Sequence, residues 1–133
     1  MTERVDLFTN IYQHFNDEVV NSVRKDTFGT DIGQNSWLTV DEYERMLPWL
    51  NLTADSHVLE VASGSGGPAH YLARTTGCRV TGIDANESGV ATASQMVSQM
   101  TKNSAEAGRV SFKVADANTE LPFAEDSFDA VLC

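Results

Sequence analysis

The chain has 133 residues, 41% hydrophobic and 21% charged, enough for one globular domain with its own core. Nineteen acidic residues against nine basic give a formal charge of -10, which repels nucleic-acid backbones and anionic membrane surfaces, so neither is an expected partner. Cys78 and Cys133 have neither metal-ligand spacing nor the look of a secreted disulfide framework, and no leader or membrane-spanning apolar run is evident, so a cytoplasmic protein is expected.

From Thr2 to about Lys25, Val5, Phe8, Ile11, Tyr12, Phe15, Val19, Val20 and Val23 fall close to the spacing of one helix face, which predicts an amphipathic helix broken once. The segment "DTFGTDIGQNSW" has no periodicity and reads as a loop. In "LTVDEYERMLPWLNL", Thr39 and Glu42 are spaced as a capping box and Leu38 and Tyr43 as a hydrophobic staple, so a short helix starts there. Pro48 should end or kink it near Leu47.

Beyond "TADS" the pattern changes to β-branched runs, "HVLEVA", "CRVTGID" and "RVSFKVAD", separated by helical segments from Pro68 to Thr75 and from Glu87 to about Ala105. Strands joined by such crossovers pair in parallel with right-handed connections. "SFDAVLC" opens a fourth strand. The expected fold is α/β, a Rossmann-like parallel sheet of about four strands, partial because the chain stops inside the fourth, with N-terminal helices. An uncovered edge there is expected to favour self-association.

The turn in "HVLEVASGSGGPAHYLA" joins strand to helix, as phosphate-binding turns do. A P-loop is excluded, since no Lys-Ser/Thr pair follows the last glycine and no lysine occurs from Ser36 to Thr101. Gly64, Gly66 and Ala69 fit G-x-G-x-x-[GA], with Asp84 at the end of the next strand, so a dinucleotide site stays open on spacing alone. Glu60 argues against it. A carboxylate beside the turn repels a pyrophosphate and attracts an ammonium, which points to a zwitterion or cation joined to a nucleoside. Asp84 is placed to accept from two ribose hydroxyls, and Asp116 from an exocyclic amine, with the Ala117 amide addressing a ring nitrogen. His14, His57 and His70 have no triad or metal spacing, and no metal is expected.

These residues resemble a known family. "VLEVASGSGG", "VTGIDAN" and "VADANTELPFAEDSFDAVL" are similar to the first three motifs, and the start of the fourth, of the class I S-adenosylmethionine-dependent methyltransferases of small-molecule type, closest from about Leu50 to Cys133. The resemblance implies that residues 51–133 are part of a Rossmann-like domain binding S-adenosyl-L-methionine and that residues 1–50 are a helical lid. It also implies that Glu60 meets the methionine amino end while the backbone of Ala62, Ser63, Gly64 and Gly66 passes the cofactor. Asp84, followed by Ala85, would hold the ribose, and Asp116 with Ala117 the adenine. Ser63 could offer a hydroxyl to the methionine carboxylate, and Gln34 and Trp37, from the polar loop "GQNSW", are candidates for the lid. The pattern departs at Ala62, where the family usually has its first glycine. A small-molecule acceptor is implied and no catalytic residue is named. A non-catalytic adenosyl-binding module and a nicotinamide-dependent oxidoreductase domain are the alternatives.

Overall fold

The computed structural model describes residues 3–35, 38–100 and 103–133. The N-terminal stretch forms two helices, α1 (Glu3–Gln13) and α2 (Glu18–Phe28). They part where Asp17 is extended and its carbonyl receives the Asn21 amide, the arrangement that opens a new helix. The break resets the apolar phase. Tyr12 and Phe15 are buried, whereas Val19 and Val23, in line with them by sequence spacing, are 74% and 58% exposed. Arg24 anchors α2 instead: it is buried, donates to the Phe15 carbonyl (2.8 Å) and to Asp31 Oδ1 (3.0 Å), and lies 4.1 Å over the Phe15 ring.

Helix α3 (Val40–Met46) begins with the predicted box: Thr39 Oγ1 accepts the Glu42 amide at 3.3 Å and Glu42 Oε2 accepts the Thr39 amide at 3.0 Å. Leu38 packs on the core cluster that contains Tyr43. Regular helix stops before Pro48, and Leu47–Leu50 tightens into a 3-10 turn.

Four parallel strands follow, β1 (His57–Val61), β2 (Arg79–Asp84), β3 (Val110–Val114) and β4 (Ala130–Leu132), in the order β3-β2-β1-β4. Glu60 stands opposite Gly82 and Leu132, and Asp84 opposite Val114, so the carboxyl ends of the strands share one edge of the sheet. With α4 (Gly67–Thr76) and α5 (Glu87–Ser98) as crossovers, this is a Rossmann-like α/β arrangement with N-terminal helices. Helix α5 is shorter than its periodicity predicts. Residues 103–109 fold back as turns, with Gly108 at φ +71, the Arg109 amide on the Glu106 carbonyl, and buried Glu106 facing Arg74 Nη1 at 3.4 Å.

Val58, Val80, Leu72, Ala73 and Cys78 form the centre of the core with Tyr43. Phe112 of β3 fills the space under the turn after β1, so close that a Cβ on Gly66 would stand 2.6 Å from its ring. Gly66 also has φ +83, so glycine is required there on two counts. Helix α1 docks on α5 through Asn86 Nδ2 donating to Thr9 Oγ1 (3.0 Å) and Thr92 Oγ1 donating to the Tyr12 carbonyl (3.0 Å).

Candidate functional site

The turn between β1 and α4 is held from two sides. The Ser63 amide donates to the Ile83 carbonyl (2.9 Å) and the Gly64 amide to Asp84 Oδ2 (2.8 Å), so residues 63–64 lie against the end of β2. To follow this path Ala62 takes φ +57, a left-handed conformation that glycine enters freely and alanine enters at a cost of roughly 1–2 kcal/mol. That is the physical meaning of the departure in the motif: the backbone keeps the glycine conformation without the glycine.

Two clefts open at the carboxyl edge of the sheet, one on each side of Ala62. A cleft of ≈ 230 Å³ contains Glu60, Ser63 and Gly64, closed over by Tyr12, Leu38 and Tyr43. A shallower one of ≈ 170 Å³ gathers Asp84, Ala85, Asp116 and Ala117. Val61 and Ala62 line both, so an elongated ligand crossing Ala62 would touch residues from all three motifs. The tertiary structure thus brings together Glu60, Ala62, Ser63, Gly64, Asp84, Ala85, Asp116 and Ala117, while Gly66 lies beneath at the start of α4.

The carboxylates differ in state. Glu60 is only 9% exposed, its Oε2 has no hydrogen-bond partner, and burial alone pushes its pKa up to about 8. Burial thus favours its protonated form at neutral pH, and a rise in pH or a positive charge placed beside it would favour the ionised form. Asp84 is already engaged: Oδ2 takes the Gly64 amide and Oδ1 the Asn86 amide, each at 2.8 Å. A carboxylate has about four acceptor sites, so capacity for ribose hydroxyls remains. Asp116 is exposed, and the amide and side chain of Asn118, both 2.9 Å from Oδ1, hold its pKa below the usual value.

Other expected residues sit less directly. Ser63 Oγ is buried without a partner and lies 2.8 Å from where a Cβ on Gly82 would stand, turned toward β2. The buried Gln34 side chain folds back on its own loop, receiving the Ile32 amide (2.9 Å) and donating to the Thr30 carbonyl (3.1 Å). The loop reaches the cleft through Gly33 and Asn35 instead, and Asn35 Nδ2 donates to Ser65 Oγ at 3.4 Å. Trp37 lies outside the described residues.

Tyr12 and Tyr43 were legible only as packing residues. Tyr12 lies over the turn, with its hydroxyl 3.1 Å from a Cβ built on Gly64, and burial together with the Asp84 charge raises its pKa to about 12. Aromatic residues at helical spacing carry no signal that separates a core face from a cleft wall. Among the described residues no cluster of His, Cys, Asp or Glu could hold a metal ion, and no helix is long and apolar enough to cross a membrane.

A family model described as a methyltransferase domain matches residues 58–133. Methyltransferase GfsG of Streptomyces halstedii is 38% identical over 94 residues, 71% of this chain and 31% of the relative. The glycine/sarcosine/dimethylglycine N-methyltransferase of Actinopolyspora halophila is 30% identical over 145 aligned residues, 97% of this chain and 24% of the relative. The crystal structure of a SAM-dependent methyltransferase from Thiobacillus denitrificans in complex with S-adenosyl-L-homocysteine superposes with a TM-score of 0.59 at 23% identity, over 82% of this chain and 41% of that one. The chain therefore spans about a third or less of these curated relatives.

Proposed function

The chain belongs to the methyltransferase domain family, and from that premise we propose that its paired clefts seat S-adenosyl-L-methionine for methyl transfer to a small-molecule acceptor. The observation that carries the reading is Glu60, a buried carboxyl with an unpartnered oxygen, in a cleft that shares Val61 and Ala62 as lining with the cleft of Asp84 and Asp116. A buried acid without a partner is costly unless a ligand supplies one. An ammonium at Glu60, ribose hydroxyls at Asp84 and an adenine amine at Asp116 would satisfy all three.

The cofactor, once bound, supplies an already activated methyl on a sulfonium, so the protein's work is positioning and exclusion of water. Glu60 and Asp84 orient the two ends, the tied amides of Ser63 and Gly64 keep the turn rigid, and Tyr12 and Leu38 shield the cleft from solvent. A second reading is a module that holds an adenosyl ligand without transferring anything. It is favoured by the walls of the two clefts, which among the described residues contain no histidine or lysine to take a proton from an acceptor.

Calorimetric titration with S-adenosylmethionine, S-adenosylhomocysteine and NAD tests both readings. Binding of the first two, weakened at least tenfold by Asp84→Ala and by Glu60→Gln, is expected. Preferential binding of NAD would favour the oxidoreductase alternative and sink the proposal. Binding without methylated product from any acceptor offered would favour the module.

A further inference from the structure

Three buried polar atoms without partners belong to residues that line the same cleft: Glu60 Oε2 from β1, Ser63 Oγ from the turn after it, and Tyr43 Oη from α3, which alone comes from outside the strand-turn unit. Tyr43 is 4% exposed, and its ring is part of the main core cluster and tilted against Tyr71 at 6.0 Å. A hydroxyl carried this deep normally finds a partner, since an unsatisfied one is expensive and a phenylalanine would fill the same space without it. Burial first, and then the nearby charge of Glu60 with smaller contributions from Cys78 and Tyr71, raises the Tyr43 pKa, so the phenol keeps its proton and remains a donor.

We propose that Tyr43 is a positioning residue for Glu60, its hydroxyl donating a hydrogen bond to the Glu60 carboxylate when that group ionises to receive the cofactor's ammonium. While burial keeps Glu60 protonated, below a pH of about 8, it makes little demand on the hydroxyl. On ionisation the carboxylate becomes a strong acceptor, and the hydroxyl is the donor that α3 has carried to the cleft. The other titratable side chains of the cleft walls are Tyr12 from α1 and Cys133 following β4, and among the described residues no lysine, arginine or histidine lines it. Besides the Ser63 hydroxyl of the adjoining turn, Tyr43 is the buried, unpartnered hydroxyl that the chain supplies to favour the ionised state. The capping box on α3 acquires a purpose in this arrangement, because it fixes the helix that delivers the hydroxyl.

The ligand-bound role rests on the cofactor reading above, whereas the proposed hydrogen bond to ionised Glu60 does not, and two measurements on Tyr43→Phe keep them apart. Wild type and variant are first melted without ligand between pH 5 and 9. The variant is expected to match wild type at pH 5, where Glu60 is protonated, and to melt several degrees lower at pH 9. The two proteins are then titrated with S-adenosylhomocysteine at matched pH. Loss of the donor should move the midpoint of binding up by about one pH unit, which weakens binding about tenfold at pH 7. Binding of 5′-methylthioadenosine, which lacks the amino group, should change less than twofold. Identical melting profiles, or an unshifted binding midpoint, would overturn the proposal. Failure of the wild type to bind S-adenosylhomocysteine would overturn the cofactor reading and the ligand-bound role, leaving the melting profiles to decide the hydrogen bond itself.

Discussion

Asp84 Oδ2 accepts the amide hydrogen of Gly64 at 2.8 Å, so the last residue of β2 holds the turn that follows β1. The same carboxylate receives the Asn86 amide at the start of α5. One side chain therefore fixes the turn, the end of a strand and the entry to a helix, in the place where a ribose is expected to rest.

This double duty sets the first prediction. Asp84→Ala removes the acceptor for two backbone amides, one of them on buried Gly64, and should cost about 1–3 kcal/mol in urea unfolding. Asp84→Asn keeps one oxygen and should lose less. If Asp84→Ala weakens S-adenosylhomocysteine binding no more than Asp84→Asn does, the residue serves the turn and not the ligand.

Glu60 makes stability depend on pH. Its folded pKa, about 8, lies above the ordinary 4.5, so between these values the native state holds a proton that the unfolded chain has released. The contribution is fully present below pH 4.5 and is lost as pH rises through 8. Glu60→Gln imitates the protonated form. It should match wild-type stability near pH 4 and exceed it by a few kcal/mol at pH 8, because a tenfold bias between two protonation states is worth about 1.4 kcal/mol. Thermal melts of the ligand-free proteins at both pH values check the sign.

Proton release on binding follows from the same residue. If Glu60 ionises when the ammonium arrives, S-adenosylhomocysteine affinity should rise from pH 6 toward pH 8, by up to about tenfold for each pH step of one at the acidic end. Calorimetry at pH 7 in buffers of different ionisation enthalpy should record nearly one proton released per ligand. A pH-independent affinity would mean that the acid does not meet the ligand's charge.

Ala62→Gly should be benign or beneficial. The residue is exposed and has φ +57, so glycine relieves roughly 1–2 kcal/mol of left-handed strain and costs about 0.4–1 kcal/mol through a freer unfolded chain. A net gain of up to about 1 kcal/mol is expected, with cofactor affinity equal or higher because the shared wall of the two clefts loses a methyl. Weaker binding would show that the alanine contributes a contact.

Gly66→Ala should do the reverse. A Cβ there meets the Phe112 ring at 2.6 Å and Ala93 Cβ at 2.8 Å, on a backbone with φ +83. Overpacking and strain together should cost about 2–4 kcal/mol, read as a lower denaturant midpoint.

The sequence by itself determined the alternation of β-branched runs and helices, the capping box at Thr39 and Glu42, and the acids at the strand ends, because these signals are local: side-chain period, cap chemistry and turn glycines act within a few residues. From them came the parallel sheet and the expectation that Glu60, Asp84 and Asp116 share an edge. Tertiary structure decided the rest. The break after α1 turned Val19 and Val23 outward and left Arg24 to hold the corner, and α5 stopped at Ser98, with Glu106 beyond it facing Arg74. Only packing brought Tyr12 and Tyr43 to the cleft. Their hydroxyls belong to residues with the periodicity of core, and no spacing along the chain reveals which polar tip a neighbouring strand has left without a partner.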